Sequence, residues 1–436
     1  MECPNDTPLF DFTQNATLNF INTLINFQSL YAPIHGYVCI GLCVFGILTN
    51  FVHVVVLTRP VMRNSAVNCV LTAVAICDIG TMATYLIYIS HFVVLRQSTC
   101  SPTFTHGWMQ FLQWHVMLSI TLHTTSLWLA VAMAFIRRMT LRVARLNSTW
   151  QRPQFAWKLC IAIYIIVAVL CVPSLFVHEI AVYEGIVWEP PHPHCALSYP
   201  PNYTEPIYTF TVSKAATANN CRIFKLNIWM IGLVFKVIPC ILLMYFSVGL
   251  VNKIRQAEKH RRKLTNVSLN NVNSCDSSSM SAKKKSHRSD RTTTMLVVIL
   301  AVFLITELPQ GIISILCAIF TTDVHKYLYF YLGDILDLLS LLNSSVNFVL
   351  YCVMSSRYRQ TFWLVFLPSG AQSLCINKQT ATASNLNFTQ IQLQRKNSNK
   401  VRNKEYAPLA TEAEEHRDEC VSAIGSEDSR ERVEQL

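Results

Sequence analysis

Ionisable side chains standing inside otherwise apolar stretches mark where this sequence could do chemistry. Asp78 lies midway along AVNCVLTAVAICDIGTMATYLIYI, and Lys236 sits three residues before Pro239 in a long apolar run. Glu307 comes two residues before Pro309 near the middle of TTTMLVVILAVFLITELPQGIISILCAIF. A charge at the centre of a bilayer costs about 2.5–3.5 kcal/mol on insertion scales, so each group should face a protein interior and have a partner. Lys236 and Glu307, both near mid-depth, are expected to pair. Pro309 offers no N–H to the carbonyl of Ile305, so its helix should bend beside the charge and behave as a moving part. Asp78 reads as a sodium or proton site or as a hydrogen-bonded strut. Asp337, Ser340, Ser344, Asn347 and Tyr351 recur every three or four residues, a polar stripe down one helix face, with Asp334 one turn beyond.

His115, Ser119, His123 and Ser126 form a second stripe at spacings of four, four and three. No Cys or carboxylate stands at ligand spacing within that segment, so polar lining of a cavity is expected and no metal. Nor does any nucleophile–base or metal cluster at diagnostic spacing point to an enzyme.

The elements that must position these groups are membrane spans. With 436 residues, 52% hydrophobic and 14% charged, the chain is too apolar for an ordinary soluble protein. Seven segments are long enough for a hydrocarbon core of about 30 Å: 36–58, 66–91, 110–136, 155–178, 223–250, 292–320 and 327–353. Polar residues in the second and seventh argue for a bundle. Segments between alternate spans hold two basic residues (Arg59, Arg63), six over 137–158 and eleven over 251–291. The other side holds Arg96, then Lys214, Arg222 and Lys225, then Lys326. Positive-inside bias puts the N-terminus out and the C-terminus in. The formal charge of +11 then belongs to the inner membrane surface and does not indicate nucleic acid.

The remaining organisation follows. Residues 1–35 are expected as an uncleaved extracellular tail, 355–367 as an amphipathic eighth helix, and 368–436 as a disordered cytoplasmic tail with Cys375 as a palmitoylation candidate. The segment 179–222 reads as a long loop and 251–291 as flexible apart from helical extensions. Four cysteines, Cys3, Cys100, Cys195 and Cys221, lie in the outer segments, where disulfides form. Sequons at Asn5, Asn15 and Asn202 share that side and are glycosylation candidates. Acids there outnumber bases and should attract a cationic ligand.

Seven spans with this polarity pattern resemble a rhodopsin-like G-protein-coupled receptor. Asn50 matches the first-helix Asn of that family, Asp78 the second-helix Asp, and Arg137 the Arg of the DRY motif. Pro239 and Pro309 match the prolines of the fifth and sixth helices, and Asn347-Phe-Val-Leu-Tyr351 stands where NPxxY is expected. Ile136, Arg138 and Phe348 depart from those motifs, and Glu307 replaces the usual Trp. The stretches LITELPQGI, NSSVNFVLYC, FKVIPCILL and HTTSLWLAVAMAFIRR resemble invertebrate myosuppressin and FMRFamide-like peptide receptors, which in nematodes belong to the class-W serpentine receptors. The resemblance covers about residues 36–365. It implies a Cys100–Cys195 disulfide, although Cys100 lies ten residues before the third span; Cys3–Cys221 is the remaining pairing.

The resemblance implies a plasma-membrane receptor for a short amidated peptide, acting on heterotrimeric G proteins and met afterwards by receptor kinases and arrestin. Ligand contacts are expected from Asp337, Asp334 and Glu307, with His115, Ser119 and Trp114 on the opposite wall. The switch would comprise Asn50, Asp78 (with a sodium ion), Arg137, Lys236, Pro239, Glu307, Pro309, Asn347 and Tyr351. Because Ile136 removes the usual acid beside Arg137, Asp290 is its expected partner. The alternative is a chemosensory receptor for a small molecule. A transporter or channel would need internal repeats or paired Gly/Pro-broken spans, which the sequence lacks. A retinal photoreceptor would need a lysine deeper in the seventh span than Lys326.

Overall fold

The computed structural model describes residues 3, 6–96, 100–142, 149–190, 192–270 and 277–366, with the side chains of 141, 257–258, 260–270, 277–297 and 354 outside the description. Among the described residues, seven helices are long and apolar enough to cross a membrane. They are α1 (Asn15–Leu57), α2 (Ala66–Val94), α3 (His106–Thr140), α4 (Pro153–Val177), α5 (Lys214–Gln256), α6 (Val298–Ile319) and α7 (Thr321–Val353). A further helix, α8 (Ser356–Phe366), follows α7. This is the seven-helix membrane bundle that the sequence implies, mostly helical where the sequence reading expects all-α. Asn5, Cys375 and the tail 368–436 lie outside the described residues. The chain divides into two compact units at Phe362, and the described part of the second is the last turn of α8.

Three boundaries correct the sequence reading. α1 begins at Asn15, so the expected tail 1–35 is helical over its second half. The residues from 15 to 34 carry no charge, and Leu18, Ile21, Leu24 and Ile25 recur at helical spacing. At about 1.5 Å per residue the 43 residues of α1 extend roughly 65 Å, about twice a hydrocarbon core. The helix starts where the Asp11 carboxylate accepts hydrogen bonds from Thr13 and Gln14, turning the chain.

The second correction is the segment after α4. It forms a hairpin of β1 (His178–Trp188) and β2 (Glu205–Val212), antiparallel, with His178 opposite Val212 and an irregularity between Val182 and Val187. The third is α5, which begins at Lys214. Its backbone breaks at Ala218, and Asn219, Asn220 and Cys221 take positive φ of 50, 59 and 55°. Asn tolerates that left-handed region better than most residues because its short amide bonds locally.

Prolines shape the rest. α5 widens into a π-turn over Met230–Val237 just before Pro239, which has no N–H for the carbonyl one turn back. α6 carries Pro309 within a helix that runs from Ser277 to Ile319. The largest apolar core lies at the end of the bundle that holds Arg137. It joins Val56, Leu57, Val70, Leu71, Leu129, Ile136, Ala156 and Tyr351 with Tyr358 of α8. The opposite end carries the hairpin.

Candidate ligand-binding site

α5 and α6 approach closely because each offers a glycine to the other. A Cβ on Gly232 would meet the backbone nitrogen of Ile315 at 3.1 Å, and one on Gly311 would meet the Cβ of Lys236 at 3.1 Å. Small residues are how membrane helices bring backbones together. The approach sets Lys236 beside Glu307, the partner expected from the sequence: Nζ lies 2.7 Å from Glu307 Oε2 and 2.9 Å from Gln310 Oε1.

Glu307 is fully buried and fully engaged. His123 Nε2 lies 3.1 Å from Oε2, and Asn343 donates to Oε1 at 3.0 Å. Facing a carboxylate, that imidazole nitrogen must carry the hydrogen. Gln310 then ties α6 to α7, donating to the Leu336 carbonyl at 2.8 Å and to Ser340 Oγ at 2.7 Å. Four helices therefore meet at one charged cluster.

Above this cluster, toward the hairpin, opens a cavity of about 380 Å³. Lys236, His123 and Gln310 reach its floor, while Ser119 and Asp337 stand on its sides. Toward the mouth it is lined by Phe210 and His178 of the hairpin, Phe224 of α5, and His325 and Tyr329 of α7. His178 lies flat against Phe210, at 4.8 Å between ring centroids, and burial lowers the pKa of its imidazole. Asp337 is exposed to the cavity and accepts one hydrogen bond, from the Tyr85 hydroxyl at 3.2 Å. Among the described residues, no cation stands within ion-pair distance of it.

The expected ligand contacts divide. Asp337 and Ser119 line the cavity. Trp114 does not: it is 56% exposed, because it sits about 100° round the helix from His115 and faces away from the bundle. His115 is buried and stacks between Phe111 and Tyr88, which makes it support for the wall. Asp334 turns toward α1, with His35 Nε2 at 3.9 Å. Glu307 lies behind the floor, covered by its own partners. Tyr85, Gln310 and the aromatic mouth were missed, although Tyr85 is seven residues from Asp78 and Gln310 three from Glu307, spacings that share a helix face.

Deeper, Asp78 accepts hydrogen bonds from Ser126 at 3.0 Å and Asn347 at 3.2 Å, and Asn50 donates to the Ser344 carbonyl at 2.9 Å. Arg137 donates to the Tyr351 hydroxyl. The side chain of Asp290, its expected partner, lies outside the described residues.

Both disulfides form, Cys100–Cys195 and Cys3–Cys221, with Cα atoms 5.2 and 5.7 Å apart. The second anchors an N-terminal strap across α5 and the α6–α7 junction. Asp6 accepts from the Thr322 N–H at 2.7 Å and from Lys225 at 3.2 Å, while Asp323 accepts from the N–H groups of Leu9 and Phe10. Phe10 and Phe12 pack on Tyr327. Partial burial raises the pKa of Asp6, but the Thr322 N–H and the Lys225 ammonium outweigh it and hold the carboxyl below its ordinary range.

Comparison with known proteins agrees with this arrangement. The family described as serpentine-type seven-transmembrane G-protein-coupled chemoreceptor Srw matches residues 37–368. The G-protein coupled receptor dmsr-1 of Caenorhabditis elegans is 34% identical over 376 residues, 81% of this chain and 72% of that one. The sex peptide receptor of Drosophila melanogaster is 25% identical over 77% of this chain and 73% of its own. The FMRFamide receptor of Drosophila melanogaster is 23% identical over 74% and 52%. The chain therefore belongs to the serpentine-type seven-transmembrane G-protein-coupled receptor family Srw, and is a multi-pass plasma-membrane receptor and not an enzyme.

Proposed function

We propose that this receptor binds a short amidated peptide of the Arg-Phe-amide type and signals through heterotrimeric G proteins. In this reading the strap and hairpin face outward, with Asn15 and Asn202 exposed there for glycosylation. The Arg137 end faces the cytoplasm, where receptor kinases and arrestin would also act. Basic residues concentrated toward that end support the orientation.

Asp337 carries the proposal. A carboxylate open to a cavity, with one hydroxyl donor and no cation beside it among the described residues, is matched by a guanidinium. The planar fork of Arg presents two parallel N–H groups to both oxygens. The aromatic mouth, with Phe210 and Phe224, suits the neighbouring Phe ring. Peptides also figure in the names of two relatives, the sex peptide and FMRFamide receptors. Binding would shift an existing equilibrium between closed and open cytoplasmic faces, with α6 swinging outward about Pro309. A sodium ion belongs to the same proposal. The Asp78 carboxylate and the Ser126 hydroxyl are the hard oxygen ligands that would hold it.

The description of the family as chemoreceptors favours a second reading, a small-molecule ligand. Calcium or cAMP responses of the full-length receptor to a panel of Arg-Phe-amide peptides separate the two. Activation that weakens when Arg is replaced by citrulline supports the peptide. Silence to the panel with a response to small uncharged molecules would overturn it.

A further inference from the structure

We infer that two copies of this receptor pair side by side through α1, whichever ligand the cavity takes, and that the seam between them runs out of the membrane along the outer half of that helix.

α1 is longer than a membrane needs. Counting back about 20 residues from Leu57, which Arg59 follows, places the outer limit of its spanning part near Tyr37. The turns from Asn15 onward stand beyond the hydrocarbon, on the hairpin side. There Phe20, Phe27, Leu30 and Ile34 are each between 40 and 78% exposed. Phe10 of the strap meets Phe20, at 6.2 Å between ring centroids, and Phe27 stacks along its own helix on Tyr31.

These residues repeat as a heptad. Phe20, Phe27 and Ile34 stand seven apart, and Leu30 and Tyr37 fall three residues after the last two. The same register continues down the spanning part, where exposed Leu48 extends the first series and exposed Val44 and Phe51 the second. From 20 to 51 the a and d positions of this heptad are apolar at all but Thr23 and Gly41. Such a stripe drifts about 20° per heptad round a straight helix, so it stays in line against a second helix wound with it. Lipid accepts the lower half of the stripe in any pattern. Beyond the hydrocarbon there is no lipid to cover it, and the stripe does not stop.

The second helix is identified by three features. None of the 43 residues of α1 carries a formal charge, so two copies lie together without like-charge repulsion. Two copies in one membrane point the same way, so a two-fold axis along its normal sets their α1 helices parallel and each seam residue against its own copy. Gly41 is the third. A Cβ on Gly36 would meet Val94 at 2.9 Å, and one on Gly46 would run into Met82, so those glycines serve the bundle. A Cβ on Gly41 would meet nothing within 4 Å. The bundle has no use for a glycine there, whereas a closely packed partner helix does. Pro33 falls at the flanking g position and leaves α1 continuous.

The test uses full-length receptor in membranes of the cells that make it. Single cysteines are placed on the seam (Phe27→Cys, Leu30→Cys, Ile34→Cys) and off it, at c positions (Asn22→Cys, Ser29→Cys), and oxidised with copper–phenanthroline beside the unsubstituted receptor. A disulfide needs Cβ atoms about 3.5–4.5 Å apart, so the seam positions should give about fivefold or more of the dimer band seen at the other two. A product at twice the receptor mass with that periodicity supports the pairing. Cross-linking equal at all five positions, strongest off the seam, or absent would overturn it, as would a product of any other mass, which would show a different partner. Gly41→Leu fits the single bundle and not the pair, so energy transfer between two tagged copies should fall by about half at equal surface density. Unchanged transfer would overturn the pairing. Where that variant does not reach the surface, the cysteine series, which keeps Gly41, decides.

Discussion

At the hairpin end, elements distant in sequence are joined by covalent bonds. Cys3 is linked to Cys221 and Cys100 to Cys195, and the strap adds hydrogen bonds accepted by Asp6 and Asp323. At the Arg137 end the described contacts between helices are apolar packing and isolated polar contacts, among them Arg137 with Tyr351, His53 with Tyr358 and Arg138 with the Tyr245 carbonyl. Disulfides do not rearrange within a signalling event, while hydrogen bonds and packed side chains exchange in microseconds to milliseconds. A ligand entering beside the covalent end therefore meets a preformed mouth, and the freedom to move is left to the other end. Between them lies the Lys236–Glu307 cluster, close to Pro239 and Pro309, where in the proposed reading α5 and α6 would pivot against each other.

The sharpest way to break this contrast is at the pivot. Removing one member of a buried pair leaves a charge without its counterpart, at about 3–5 kcal/mol if it stays ionised. Lys236→Met and Glu307→Gln should each lower surface expression or activation severely, and the double variant less than their sum. Strict additivity in that cycle, read from thermal stability of the purified receptor, would mean the two are not coupled.

Next come the two ends. Cys3→Ser should lower the melting temperature, by the typical disulfide contribution of about 2–4 kcal/mol, while any receptor that reaches the surface still signals. Arg137→Ala should do the reverse, leaving melting and surface number near wild type and abolishing G-protein activation. If the cysteine variant loses signalling at full stability, the division of labour is wrong.

Smaller effects refine it. Asp290→Asn should raise ligand-independent signalling only modestly, since an ion pair at a wet interface contributes about 0–1 kcal/mol. Unchanged basal activity would remove Asp290 as a partner of Arg137. Asp6 has a pKa lowered on folding, so its contribution is present above the unfolded value near 3.8 and fades as pH falls through the folded one. Asp6→Asn should therefore melt slightly earlier at pH 7, with the gap to wild type closing toward pH 4 and below. A gap that widens with acid would contradict the strap contact.

What the sequence made legible was what one helix can show by itself. Spans of eighteen or more apolar residues declare themselves, and the stripe from Asp337 to Tyr351 showed which face of α7 turns inward. Depth alone was enough to pair Lys236 with Glu307. What stayed hidden depends on neighbours. Nothing in α3 says that Tyr88 of α2 will stack on His115 and fix the rotation that sends Trp114 outward. The first half of α1 was masked by Asn and Thr, which favour other structures until apolar contacts outweigh them. The hairpin was hidden because its strands sit in a Pro-, His- and Tyr-rich stretch and take their register from each other.

The central claim, that Asp337 holds the cation of the ligand, is tested most directly by a double comparison. Wild type and Asp337→Asn receptors, counted at the cell surface, are titrated with an Arg-Phe-amide peptide and with its citrulline analogue, which has nearly the same shape without the charge. The variant should lose about 1.5–3 kcal/mol of affinity for the Arg peptide, the worth of a charged hydrogen bond, and little for the citrulline peptide. Equal losses for the two peptides at equal receptor number would show that this carboxylate does not read the Arg.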